Sequence, residues 1–218
     1  MILKHVALFL NLDDYPREFR SDFGFQTRYL CNFLERRLRP ARFLAEGFSK
    51  ICVQGKHVPE EICPIVPENA LRVPVPFDEQ RYESLGPNEH HEFFIAMLTE
   101  GLKKCAKQHR IPLDLLLASI DEFRRGGYRN EWVHRSKLLR GSGLRASLLY
   151  SLDVDRFTLT LELTRRGQEV FNEQILETKP DEIIFAHRFK DVVLDNGDIV
   201  VRDEFGEPTF SLALESLG

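Results

Sequence analysis

Arg156-Phe157-Thr158-Leu159-Thr160-Leu161-Glu162-Leu163-Thr164 alternates polar and apolar residues without a break. Successive side chains of a strand point to opposite faces, so Phe157, Leu159, Leu161 and Leu163 share a buried face while the threonines and Glu162 meet water. One-sided alternation of this kind belongs to an antiparallel sheet with a solvated face, because parallel strands covered on both sides read as continuous apolar runs.

The neighbouring segments extend the same sheet. Residues 144–152 pair with this strand across Asp153-Val154-Asp155, and Arg165-Arg166-Gly167 forms the next hairpin loop. Asp195-Asn196-Gly197-Asp198 is the strongest turn signal in the chain, since Asn-Gly accepts the two positive φ angles of a type I′ turn. Glu204-Phe205-Gly206-Glu207 reverses the chain once more before Phe210–Leu214. The C-terminal third therefore reads as an antiparallel meander of about six strands.

Towards the N-terminus the period changes. Residues 3–12 form an apolar run ended by Asn11, Asp13, Asp14 and Pro16, which suits a buried strand and a turn. Phe19, Phe23, Leu30, Phe33, Leu34 and Leu38 then recur at helical spacing, with Arg28, Glu35, Arg36 and Arg39 on the other side. Gly24 places the start of this helix near Asp22, and Pro40 ends it. Phe48, Ile51 and Val53 give a second strand closed by Gly55. Five prolines between residues 58 and 78 allow Arg72–Phe77 to be an edge strand at most.

Two helices follow. The first is capped by Asn88 after Gly86-Pro87 and carries Phe93, Phe94, Met97, Leu98, Leu102 and Cys105 on one face to about Gln108. The second runs from Leu113 to Arg125 and stops at Gly126-Gly127. The class is α+β: an N-terminal strand-helix-strand unit and a helical hairpin, then the antiparallel meander. One domain over residues 1–218 is the expectation, with subdomains 1–127 and 128–218 as the alternative division.

Composition narrows the functional classes. A chain of 218 residues with 43% hydrophobic and 29% charged residues builds a sizeable core without staples. Seventeen phenylalanines against two methionines favour a well-specified core over a plastic one. The formal charge of -4 opposes a nucleic-acid partner or an anionic membrane. Cys31, Cys52, Cys63 and Cys105 match no zinc spacing and sit among apolar neighbours, as buried reduced thiols do. The opening Met1–Leu10 lacks the positive segment and cleavage site of a secretory signal and is too short to span a bilayer, so a cytoplasmic protein is expected.

Three groups invite a chemical reading. His90-His91-Glu92 offers metal-ligand types, but neighbours on a helix diverge by about 100°. His90 falls on the apolar stripe, and Glu89 and Glu92 point to water. Tyr128, Asn130, Trp132 and His134 would share one face of a strand, a mixed aromatic and polar surface suited to binding. Asp13 and Asp14 follow the first strand, where an acidic pair more often ends a strand than holds a metal. Arg140-Gly141-Ser142-Gly143 reads as a hairpin connection. The chain has neither the Gly-x-x-x-x-Gly-Lys-[Ser/Thr] nor the Gly-x-Gly-x-x-Gly phosphate loop, and no Gly-x-Ser-x-Gly nucleophile elbow.

These readings lean towards binding over catalysis, without a cofactor. The leading expectation is a protein that neutralises another protein with a basic surface, most concretely an immunity protein inhibiting a cognate bacterial toxin. A metal-dependent hydrolase or nuclease using His90, His91, Glu92 and Asp13 is the alternative, and a nucleic-acid-binding accessory protein is third.

Overall fold

The computed structural model describes residues 1–86 and 88–217, with the side chain of Ala186 outside that description. Pro87, which the sequence places just before the Asn88 helix cap, falls outside it as well. The chain divides into two compact units, Met1–Asn130 and Glu131–Gly218. The division lies three residues beyond the Gly126-Gly127 break. It has the α+β class expected of it.

In the first unit, β1 (His5–Leu10), β2 (Lys50–Lys56) and β4 (Ala70–Pro76) run parallel, and the two-residue β3 (Ile65–Val66) closes the order β1-β2-β4-β3. Helix α1 (Arg17–Ala41) packs on β1, and α3 (His90–Ala106) packs on β2 and β4. Helix α4 (Leu113–Arg125) lies against both helices, and a short α2 (Glu79–Glu83) precedes α3. Phenylalanines knit these layers: Phe23 meets Phe94 edge-on at 5.5 Å, and Phe33 meets Phe123 at 4.8 Å.

Several local expectations are corrected here. Helix α1 begins at Arg17, not near Asp22, and runs through Gly24; burial of Phe23, Thr27 and Leu30 outweighs a glycine cost of about 1 kcal/mol. Pro40 sits inside the last turn, where it removes one intrahelical bond, and the helix ends a residue later with Arg42 in the left-handed region (φ 44°). Glu35 is buried on α1 instead of facing water. It accepts hydrogen bonds from Arg28 Nη2 (2.9 Å) and the Val6 amide (3.3 Å), with His5 Nδ1 at 3.2 Å. Helix α3 is preceded by Glu89 at its cap, with no side-chain cap from Asn88.

Gly55 does not close β2 but lies within it. A Cβ there would meet Leu10 Cδ2 at 2.8 Å and Met97 Cε and Phe77 Cβ at 3.1 Å, so glycine leaves room for these side chains to pack over the strand. The proline strand β4 is interior in the sheet order, yet its prolines obey the edge rule. The Arg72 amide donates to Pro64 O and the Phe77 amide to Lys56 O on β2. Positions 72, 74 and 76 therefore turn their backbone nitrogens away from β2, and β3 covers only Ala70 and Leu71 on that side. Pro74 and Pro76 fall where no strand needs an amide donor.

The second unit holds seven strands in place of the expected six, in two sheets. β5 (Glu131–Leu139), β6 (Leu144–Leu152), β7 (Phe157–Arg165) and β8 (Gln168–Thr178) form a meander in sequence order. After a helical turn, α5 (Glu182–Phe185), come β9 (Asp191–Asp195), β10 (Asp198–Arg202) and β11 (Pro208–Ala213), ordered β11-β10-β9. Asn196 (φ 50°) and Gly197 (φ 90°) take the conformations that the Asn-Gly turn demands. All four cysteines are buried and free. Among the described residues, no helix is long and apolar enough to cross a membrane.

Candidate interaction site

Strand register sorts the β5–β8 sheet into two faces. Ala146, Leu148, Tyr150 and Leu152 on β6 pair with Leu163, Leu161, Leu159 and Phe157 on β7, and all eight are buried. The β9 side joins this inner face, because Lys137, opposite Ala146, donates to Asp191 at 2.8 Å.

The outer face carries the other parity, in rows that cross all four strands. Val133 stands opposite Leu149, Leu149 opposite Thr160, and Thr160 opposite Gln174. The next rows are Ser136-Ser147-Glu162-Asn172 and Glu131-Ser151-Thr158-Glu177, and Leu138-Arg145-Thr164-Glu169 is the last. Ser147 Oγ donates to Ser136 Oγ at 3.1 Å, which ties β5 to β6 on this face. Val133 and Leu138 are each 57% exposed. A groove of about 390 Å³ runs across the face, lined by Trp132, Val133, Leu149, Ser151, Thr160 and Asn172 among others. The face carries four glutamates, Glu131, Glu162, Glu169 and Glu177, and one arginine, Arg145. Arg156, from the turn between β6 and β7, lies 3.5 Å from Glu177.

The four residues expected on one strand face separate. β5 starts at Glu131, so only Trp132 and His134 belong to it. They gather on Tyr150: Trp132 edge-on at 5.2 Å, His134 stacked at 4.3 Å and 4° from parallel. A bulge between Val133 and Arg135 lets both rings reach the same partner. Loss of hydration against its neighbours pushes the His134 pKa below its ordinary 6.5. Burial, with a lesser contribution from Glu182, pushes the Tyr150 phenol up.

Tyr128 and Asn130 belong to the first unit. Tyr128 has a left-handed backbone (φ 59°) and stacks on His91. Asn130, 1% exposed, donates to Tyr29 O (2.8 Å) and Asn32 Oδ1 (2.9 Å), and its Oδ1 accepts from Arg36 Nη1 (2.8 Å). The shared-face reading failed because Gly127 and Tyr128, just after α4, are successive left-handed residues, which breaks strand periodicity before Glu131.

The His90–Glu92 group does not converge with Asp13. His90 is half-buried between Tyr82 and Phe94, as its place on the apolar stripe implied. His91 Nδ1 lies 2.5 Å from Tyr29 Oη. Glu92 accepts two bonds from Arg124, each 2.8 Å, and one from Tyr128 Oη at 2.9 Å. Asp13 is exposed in the turn after β1, while its neighbour Asp14 accepts the His57 amide at 3.1 Å. Among the described residues, no three His, Cys, Asp or Glu side chains come together as a metal site.

Sequence reasoning missed His57, Glu79 and Tyr15, which the strand ends β1, β2 and β4 bring together. His57 lies 3.6 Å from Glu79 and edge-on to Tyr15 at 4.6 Å. Burial, aided by Glu79 and Asp14, raises the Tyr15 phenol to about 12. It also missed the outer-face residues on β5, because their row partners are set by register and not by any local pattern. The chain matches no protein-family model, no curated protein and no solved structure.

Proposed function

We propose that this protein binds another protein through the outer face of the β5–β8 sheet and holds it inactive, most concretely as an immunity-type protein neutralising a cognate bacterial toxin. The observation that carries the reading is the make-up of that face: exposed Val133 beside a groove and exposed Leu138 on the same strand, among rows of serine and threonine and four glutamates. Exposed apolar side chains set among polar ones are the make-up of a protein interface. Four glutamates against Arg145 and Arg156 favour a basic partner and speed its approach. The same charge repels nucleic acid. His91 and Glu92 are engaged by Tyr29, Tyr128 and Arg124, which gives the metal-dependent alternative no support from geometry.

The test uses the full chain as bait in a lysate of its source organism, with Val133→Arg as the paired control. A single stoichiometric protein retained by the wild type and lost by V133R is the expected result. Retention of no protein, or equal retention by both baits, would overturn the reading.

A further inference from the structure

Four strands about 4.8 Å apart and four rows along them span an area of roughly 500 Å², short of the roughly 800 Å² per partner of a stable interface. A partner held by this unit needs further contact. The turn joining β10 to β11, in the separate three-stranded sheet, carries an exposed apolar side chain of its own. Phe205 is 80% exposed and is the one aromatic residue among the large apolar side chains left exposed in the described residues. Leaving a phenylalanine in water forgoes most of what its burial would contribute, and a mobile loop would let the ring fold back.

This loop is not free to do so. Each backbone amide from Asp203 to Glu207 has an acceptor. The Asp203 amide donates to Glu207 O (3.0 Å), that of Glu204 to His187 O (2.9 Å) and that of Gly206 to Asp203 O (3.2 Å). Asp203 Oδ1 accepts both the Phe205 and Glu207 amides at 2.9 Å. Gly206 supplies the positive φ (87°) that completes the reversal. The ring is thus presented by a pre-ordered turn between two exposed carboxylates, Glu204 and Glu207. Ordering before binding removes an entropic cost that a flexible loop would pay on association.

We propose that Phe205 is an anchor residue that inserts into an apolar pocket of the partner protein, a pocket rimmed by lysine or arginine facing Glu204 and Glu207. The inference rests on the protein-binding reading above and adds a contact separate from the sheet face. Asp203 is a positioning residue: its carboxylate fixes the turn and leaves the insertion to the ring.

The experiment titrates the captured protein, purified, against the full-length chain and four variants. Phe205→Ala, on an exposed ring, is expected to fold as the wild type and to raise Kd at least tenfold. Phe205→Tyr should stay within about threefold, because the ring is kept. Asp203→Ala should weaken binding although Phe205 is intact, since two amides of the turn lose their shared acceptor. Val133→Arg reports the sheet face independently. Binding by Phe205→Ala within twofold of wild type, with V133R defective, would overturn the anchor and leave the protein-binding reading standing. Absence of any protein partner would overturn both.

Discussion

His91 lies flat on Tyr128, with ring centroids 4.4 Å apart and planes 9° from parallel. The stack holds a bulky residue in the left-handed region just where α4 ends and the chain leaves the first unit. Such a backbone is costly for an aromatic residue and persists only where its surroundings over-determine it. Here they do: Tyr128 Oη donates to Glu92, the Tyr128 amide donates to Phe123 O, and two residues on Asn130 is buried.

Glu92 makes this corner sensitive to acid. Arg124, chiefly, and Tyr128 hold its carboxyl below the ordinary 4.5. A depressed folded-state pKa contributes stability that is present above 4.5 and lost as pH falls through the lower folded value. Unfolding curves at stepped pH should therefore show the wild type converging on Glu92→Gln below pH 4.5, with the wild type more stable above it. A gap between them that does not change with pH would count against this linkage.

Asn130 is expected to be the most sensitive polar position in the first unit. Asn130→Ala removes its hydrogen bonds to the Tyr29 carbonyl, Asn32 and Arg36. Each such bond contributes about 0.5–1.5 kcal/mol net, so a loss of about 2–4 kcal/mol is expected in urea titration. An effect under about 0.5 kcal/mol would show that water replaces the amide.

Gly101 sets the distance between α3 and β2. A Cβ there would lie 2.7 Å from both Val53 methyls, and neither atom belongs to a long flexible side chain. Gly101→Ala should destabilise by about 1–3 kcal/mol despite alanine's better helix propensity. The double variant with Val53→Ala should recover part of the loss, measured as the coupling in a double-mutant cycle.

Trp132 is the only tryptophan and is half-buried, its ring packed on Tyr150 of the inner face. A partner at the outer face should leave acrylamide quenching of its emission nearly unchanged in the complex. A fall of twofold or more in a tight complex would move the interface to the inner side of β5.

What the sequence determined by itself were the features that depend on neighbours along the chain. The alternation at residues 156–164, the Asn196-Gly197 turn and the limits of α4 at Leu113 and Arg125 follow from local sterics and periodicity, and each is where the pattern put it. The apolar position of His90 is of the same kind. What only the tertiary structure decided were the pairings: Val133 beside Leu149 and Thr160, Glu35 buried with Arg28 and His5, His57 beside Glu79, and Tyr128 parted from Trp132 at the unit boundary. These depend on strand register and on which helix face meets which strand. Register is chosen by summed burial over many residues, and a bulge at His134 shifts it without leaving a mark in the neighbouring sequence.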